Sequence, residues 1–118
     1  HDNDTLSGWL AEADGDVVSY TCRYLGLREQ EGYAWGVIRG GMRSVADLFV
    51  AQMQDYLGLG SEARMNRPGV PQGNWRWRLR AESLTPALAE RIREMAVMYG
   101  RAEPKREMTP PDAAEPTD

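Results

Sequence analysis

Only one stretch of this chain, Leu48-Phe49-Val50-Ala51, reads as a buried β-strand. It is short and apolar on both faces, the pattern of a parallel strand covered from two sides. One strand cannot make a sheet. The chain is therefore either mostly helical, or its other strands lie on sequence outside it. Polar residues, Gln52-Met53-Gln54-Asp55, follow the run. The C-terminal end of a strand is where α/β folds place their chemistry.

The rest of the pattern is helical. Asp16 is a candidate N-cap for a helix in which Val17, Tyr20, Tyr24 and Leu25 fall near one face, and Gly26 stands where a left-handed glycine would close it. Trp35, Ile38, Met42 and Val45 recur at spacings of three and four. Gly40-Gly41 interrupts that helix at a cost of about 1 kcal/mol each, which predicts a neighbour packed close against them. Gly58 to Gly73 is a long Gly-, Pro- and Arg-rich loop, and Asn74 to Arg78 alternates like a short extended piece. Thr85-Pro86 is an N-cap with a first-turn proline, ahead of a stripe of Leu88, Ile92, Met95 and Tyr99 closed by Gly100. The expected organisation is a folded part over 1–100 and a disordered, acidic, Pro-rich tail over 101–118.

Bulk properties exclude several classes. With 118 residues there is room for one domain at most. The chain starts on His1 rather than Met, which suggests a segment of something longer. A net charge of −4 disfavours non-specific nucleic-acid binding. Trp75-Arg76-Trp77-Arg78 mixes aromatic and basic side chains, but no wider basic face supports it, so packing is its expected role. The single cysteine, Cys22, cannot form an intrachain disulfide, and a reducing cytosol is the natural compartment. No apolar run approaches the roughly 20 residues that span a bilayer.

Two blocks point to a family. The first is His1-Asp2-Asn3-Asp4-Thr5 with Gly8-Trp9 soon after. The second runs from Gln54 through Glu62-Ala63-Arg64-Met65-Asn66 to Gly69, followed by Gly73-Asn74-Trp75-Arg76-Trp77-Arg78. Together they resemble the end of bacterial and plant 4-α-glucanotransferases (amylomaltases or disproportionating enzymes), glycoside hydrolase family seventy-seven. The resemblance extends from His1 to about Gly100. One departure is Asp4-Thr5-Leu6-Ser7-Gly8-Trp9, where the family usually reads Asp-Thr-Thr-Leu-Gly-Trp; its length is kept.

The resemblance implies an α/β fold, the C-terminal part of a (β/α)8 barrel. About the last two strand–helix units would be present, mostly helical when viewed alone. Leu48 to Met53 would be the eighth strand, with His1-Asp2 just past the seventh. A whole barrel takes about 250 residues, so this chain would be a fragment.

The implied chemistry is retaining transfer of a segment of an α-1,4-glucan to a new 4-hydroxyl, through a glycosyl-enzyme intermediate. No cofactor or metal is implied. Asp2 matches the third carboxylate of such sites, which grips the reacting sugar as oxocarbenium charge develops. His1 and Asn66 match glucan contacts. Arg64, Asn74 and Trp75 lie in the same loop and are further candidate contacts. The nucleophile and acid/base have no counterpart here. Asp2 and Asp4 cannot replace them, since nothing in the sequence fixes the roughly 5 Å separation of a retaining pair. The chain alone is thus expected to be inert. Its expected partners are maltooligosaccharides, α-1,4-glucans and the remainder of the same barrel, with no nucleic acid and no membrane. The rival readings are a non-catalytic glucan-binding remnant and a small helical interaction protein.

Overall fold

The computed structural model describes residues 1–105. It contains five α-helices: α1 (Leu6–Glu12), α2 (Gly15–Leu25), α3 (Tyr33–Met42), α4 (Met53–Tyr56) and α5 (Pro86–Met98). Two 3-10 turns, Ser61–Ala63 and Ala81–Ser83, punctuate the long connection between α4 and α5. Most of the expected 101–118 tail lies outside the described residues.

Helix α3 is the hub, packed against α1, α2, α4 and α5. Ala34, Trp35, Gly36, Ile38 and Met42 are its buried positions, and Ile38 is only 1% exposed. The expected stripe therefore holds through Met42. Val45 falls beyond the helix end and is fully exposed. The paired glycines have the expected neighbours. A Cβ on Gly40 would sit 2.9 Å from Leu25 of α2, and one on Gly41 would collide with the Phe49 ring. Their missing side chains let those groups rest directly on the α3 backbone.

Polar contacts tie the other helices to this hub. The Trp35 indole N–H donates to the Tyr56 carbonyl at 3.1 Å, fixing α4. The Arg91 guanidinium of α5 lies 3.7 Å above the Trp35 ring and also donates to the Glu31 carbonyl at 2.7 Å. Arg39 pairs with Glu31 at 3.0 Å while donating to the Leu25 and Gly26 carbonyls at the end of α2. Arg101 donates to the Met42 carbonyl at 2.9 Å and so caps the C-terminus of α3.

Several ends form as the sequence predicts. Gly26 closes α2 at φ 65°. Thr85 caps α5 through its side chain, with Pro86 opening the helix. Leu88, Ile92, Met95 and Tyr99 are all partly buried. Helix α2 departs from expectation in two ways. It starts at Gly15, with Asp14 at the N-cap position and Asp16 in the first turn. Of its expected stripe only Leu25 turns inward, partly buried with Val18, Thr21 and Cys22, while Val17, Tyr20 and Tyr24 are exposed and the two tyrosines stack on each other. Helix α1 was not anticipated.

The strand expected over Leu48 to Met53 is not formed. Among the described residues there is no β-strand, and Met53 already belongs to α4. The physical reason is that a strand exists only through hydrogen bonds to a neighbour, and no neighbouring strand is present. Phe49 packs on Gly41, but Leu48 is 79% and Val50 77% exposed. The observed fold is mostly helical. Asn74 to Arg78 likewise adopts no strand.

Candidate active site

The N-terminal segment carries Asp2 into α1, and three side chains hold it by hydrogen bonds. Thr5 is fully buried and caps α1, its Oγ1 accepting from Gly8 N–H at 3.1 Å. Asp4 accepts from Thr5 N–H at 2.7 Å with one carboxylate oxygen and from the Ser61 hydroxyl at 2.7 Å with the other. Asp55, on α4, accepts from Leu6 N–H at 2.7 Å. Gly8 makes this possible: a Cβ there would collide with Ser61 Oγ and lie 2.9 Å from both Asp4 oxygens.

The second segment is the loop after the Ser61–Ala63 turn. Gln54, the residue before Asp55, donates from Nε2 to the Ala63 carbonyl at 3.2 Å. Arg64 then reaches forward with its Nε to the Asn66 carbonyl at 2.9 Å. Farther along, the Asn74 side chain accepts from Arg67 N–H at 2.9 Å and donates to the Val70 carbonyl at 2.8 Å, closing the loop on itself.

The two segments meet at Asp2. Asn66 Nδ2 donates to Asp2 Oδ1 at 2.7 Å, and Arg64 Nη2 donates to the Asp2 main-chain carbonyl. His1 Nε2 lies 2.9 Å from the same Asp2 oxygen. The His1 ring stands against Trp75, centroids 5.0 Å apart and tilted by 40°. Trp75 itself holds φ 60°, the one positive φ outside glycine among the described residues. Its amide donates to the Met65 carbonyl at 2.7 Å, which helps keep this left-handed turn closed. Such a conformation costs about 1–3 kcal/mol and persists only where surrounding structure imposes it.

His1, Asp2, Arg64, Asn66 and Trp75 are thus brought into one cluster. Asn74 is adjacent, but its side chain is spent on the loop. Asp2 and His1 remain about half exposed, open to a ligand. Asp2, Arg64 and Trp9 border a hollow of about 420 Å³. A larger groove of about 910 Å³ reaches His1 and is walled by Leu6, Ile38, Phe49, Val50 and Trp77. Of the candidate residues only His1 reaches it, so the large groove is not centred on the carboxylate.

One buried group is electrostatically unusual. Burial pushes the Asp55 carboxyl above its ordinary value, the Leu6 amide pulls it partly back, and the nearby negative charge of Asp4 adds to the rise. Among the described residues no three His, Cys, Asp or Glu side chains are grouped to hold a metal ion.

A profile described as 4-alpha-glucanotransferase matches residues 1–85. The chain belongs to the 4-alpha-glucanotransferase family. It is 45% identical to the 4-alpha-glucanotransferase of Clostridium butyricum over 105 residues, 87% of this chain and 21% of that protein. It is 48% identical to the Thermus thermophilus enzyme of the same name, over 81% of this chain and 20% of that one. Among solved structures, amylomaltase from Streptococcus agalactiae in complex with acarbose superimposes with a TM-score of 0.83 at 30% identity. That match covers 87% of this chain and 21% of the other. The chain therefore spans about a fifth of the length of the curated 4-alpha-glucanotransferases it matches. No helix among the described residues is long and apolar enough to cross a membrane.

Sequence reading named the Asp2 cluster and noted Asp4, Gln54 and Asp55, but assigned neither them nor Ser61 the role of holding it in place. The available signals were Thr5 as an N-cap, and two adjacent polar residues, Gln54 and Asp55, in a short helix.

Proposed function

We propose that this chain forms the C-terminal part of the (β/α)8 barrel of a cytoplasmic 4-α-glucanotransferase and contributes the carboxylate that stabilises its transition state. The observation that carries the reading is the meeting of Asp2 with Asn66 and Arg64, which joins the two sequence blocks of the family into one polar cluster. The acarbose complex of the Streptococcus agalactiae amylomaltase supports α-linked glucose oligomers as the ligand class.

In this reading Asp2 faces the hydroxyls of the sugar under attack. Asn66 and His1 hold its Oδ1, leaving Oδ2 for those hydroxyls. Hydrogen bonds to an ionised carboxylate strengthen as positive charge builds on the ring, so the transition state gains more than the ground state. Trp75, against His1, offers an apolar face to a neighbouring glucose unit. The nucleophile and the acid/base come from the rest of the barrel, and the reaction needs no cofactor. The large groove beside His1 is the seat of that remainder.

The test is reconstitution. The purified chain is mixed with the separately produced preceding four-fifths of the Thermus thermophilus enzyme, and maltotriose is supplied. The chain alone should release no glucose. The mixture should yield glucose and longer oligomers, and Asp2→Asn should lower that yield by about a thousandfold, the scale of a lost transition-state contact. Turnover by the chain alone would overturn its inertness. An inactive mixture with saturable maltooligosaccharide binding by the chain would favour a binding remnant. A folded chain indifferent to glucans would leave a small helical interaction protein.

A further inference from the structure

We propose that the Gln54–Asp55 dipeptide is a two-way clamp that holds the Asp2 and Asn66 segments in register, making both residues positioning residues for the candidate site. The two side chains are neighbours on α4, each only 5% exposed, and they point to different segments. Asp55 accepts from the Leu6 amide at the start of α1, four residues after Asp2. Gln54 donates to the Ala63 carbonyl, one residue before Arg64 and three before Asn66. The Gln54 bond is buried and the Asp55 bond partly buried. The contacts that Arg64 and Asn66 make with Asp2 are exposed, where a hydrogen bond competes with water and has little power to fix geometry.

The Asp4–Ser61 bond supports the same clamp, since it links the two segments directly. Helix α4 is itself fastened to the α3 hub through the Tyr56 carbonyl and the Trp35 indole. Position is thus passed from the core through α4 to both halves of the cluster. That the held cluster serves glucan transfer rests on the function proposed above; the clamp does not.

The two ends have opposite hydrogen-bond polarity, and this gives a test. Asparagine at 55 keeps an acceptor for Leu6 N–H, whereas ionised glutamate at 54 has no donor for the Ala63 carbonyl, so the spectra are recorded at pH 8, where the glutamate is driven toward its charged form. The readout is the Asn66 side-chain amide in nitrogen–proton NMR spectra of this chain, which reports its bond to Asp2 without any sugar. In Asp55→Asn the two Asn66 Nδ2 proton signals should stay where they are. In Asp55→Ala and Gln54→Glu both should move to free-amide positions while the helical circular dichroism persists. A role in filling space alone would tolerate both near-isosteric changes, so an unmoved Asn66 signal in Gln54→Glu overturns the clamp. So does a lost signal in Asp55→Asn. Should Gln54→Glu not fold, hydrogen exchange of the unmodified chain in mild urea decides. The Leu6 and Trp75 amides should open in one shared step with the same urea dependence, and separate openings would overturn the proposal. Failure of the reconstitution with these NMR results intact would refute the glucan reading and leave the clamp standing.

Discussion

The side-chain amide of Asn66 donates to the carboxylate of Asp2 across 64 positions of sequence, at 2.7 Å. Replacing Asn66 by Asp turns this donor into a second acceptor and sets two negative charges together. Like charges at contact repel. The Asp2 segment and the loop should then separate, read as a moved Trp75 amide signal in nitrogen–proton NMR spectra and a lower urea midpoint at neutral pH. Asn66→Ser, which keeps a small donor, should change both less.

Asp55 sets a pH dependence. Its folded carboxyl sits above the ordinary value, so between that value and the raised one the native state binds more protons than the unfolded chain. Stability therefore falls as pH rises through this window, and Asp55 destabilises the fold at neutral pH relative to its protonated form. Asp55→Asn should be more stable than the unmodified chain at pH 7. It should also lose the part of the urea-midpoint profile that declines just above the usual carboxylate range.

Two glycines at helix starts should respond in opposite directions to alanine. Around Gly15 there is open space, and its backbone is ordinary helix. Gly15→Ala should stabilise by about 0.4–1 kcal/mol, chiefly by restricting the unfolded chain. Gly8 has Ser61 and Asp4 against its Cα. Gly8→Ala should cost about 1–3 kcal/mol through overpacking and disrupt the Asp4–Ser61 bond. Thermal melts of the two variants should bracket that of the unmodified chain.

Ile38 is the most buried large side chain of the hub. Ile38→Ala should cost about 2–5 kcal/mol, read as a fall in urea midpoint. Val45→Ala, three residues past the end of α3, should leave the midpoint unchanged.

These contrasts also mark what the sequence could disclose. Helices α3 and α5 were legible because their apolar residues repeat at helical spacing and their ends carry strong signals, Thr85-Pro86 above all. The face of α2 differs from expectation because Tyr20 and Tyr24 are bulky and apolar enough to read as core, whereas the side chain seated on α3 is Leu25, against Gly40. Leu48 to Ala51 looked like a strand because local composition records a preference, while strand formation needs a partner. In the site, family resemblance pointed to Asp2 and Asn66 but could not disclose Gln54 and Asp55 as their anchors. Their role depends on which backbone groups the fold brings beside them, and neither side chain announces that. The silence about α1 has a similar origin: it is seven residues long, too short for periodicity to register.

The groove beside His1 has a consequence for handling the chain. Its walls are largely oily and expose Val50, so two molecules that collide there have something to gain by sticking. How much of this protein stays clear in a tube is then governed by crowding as much as by melting temperature. A dilute sample and a concentrated one are, for this surface, different environments.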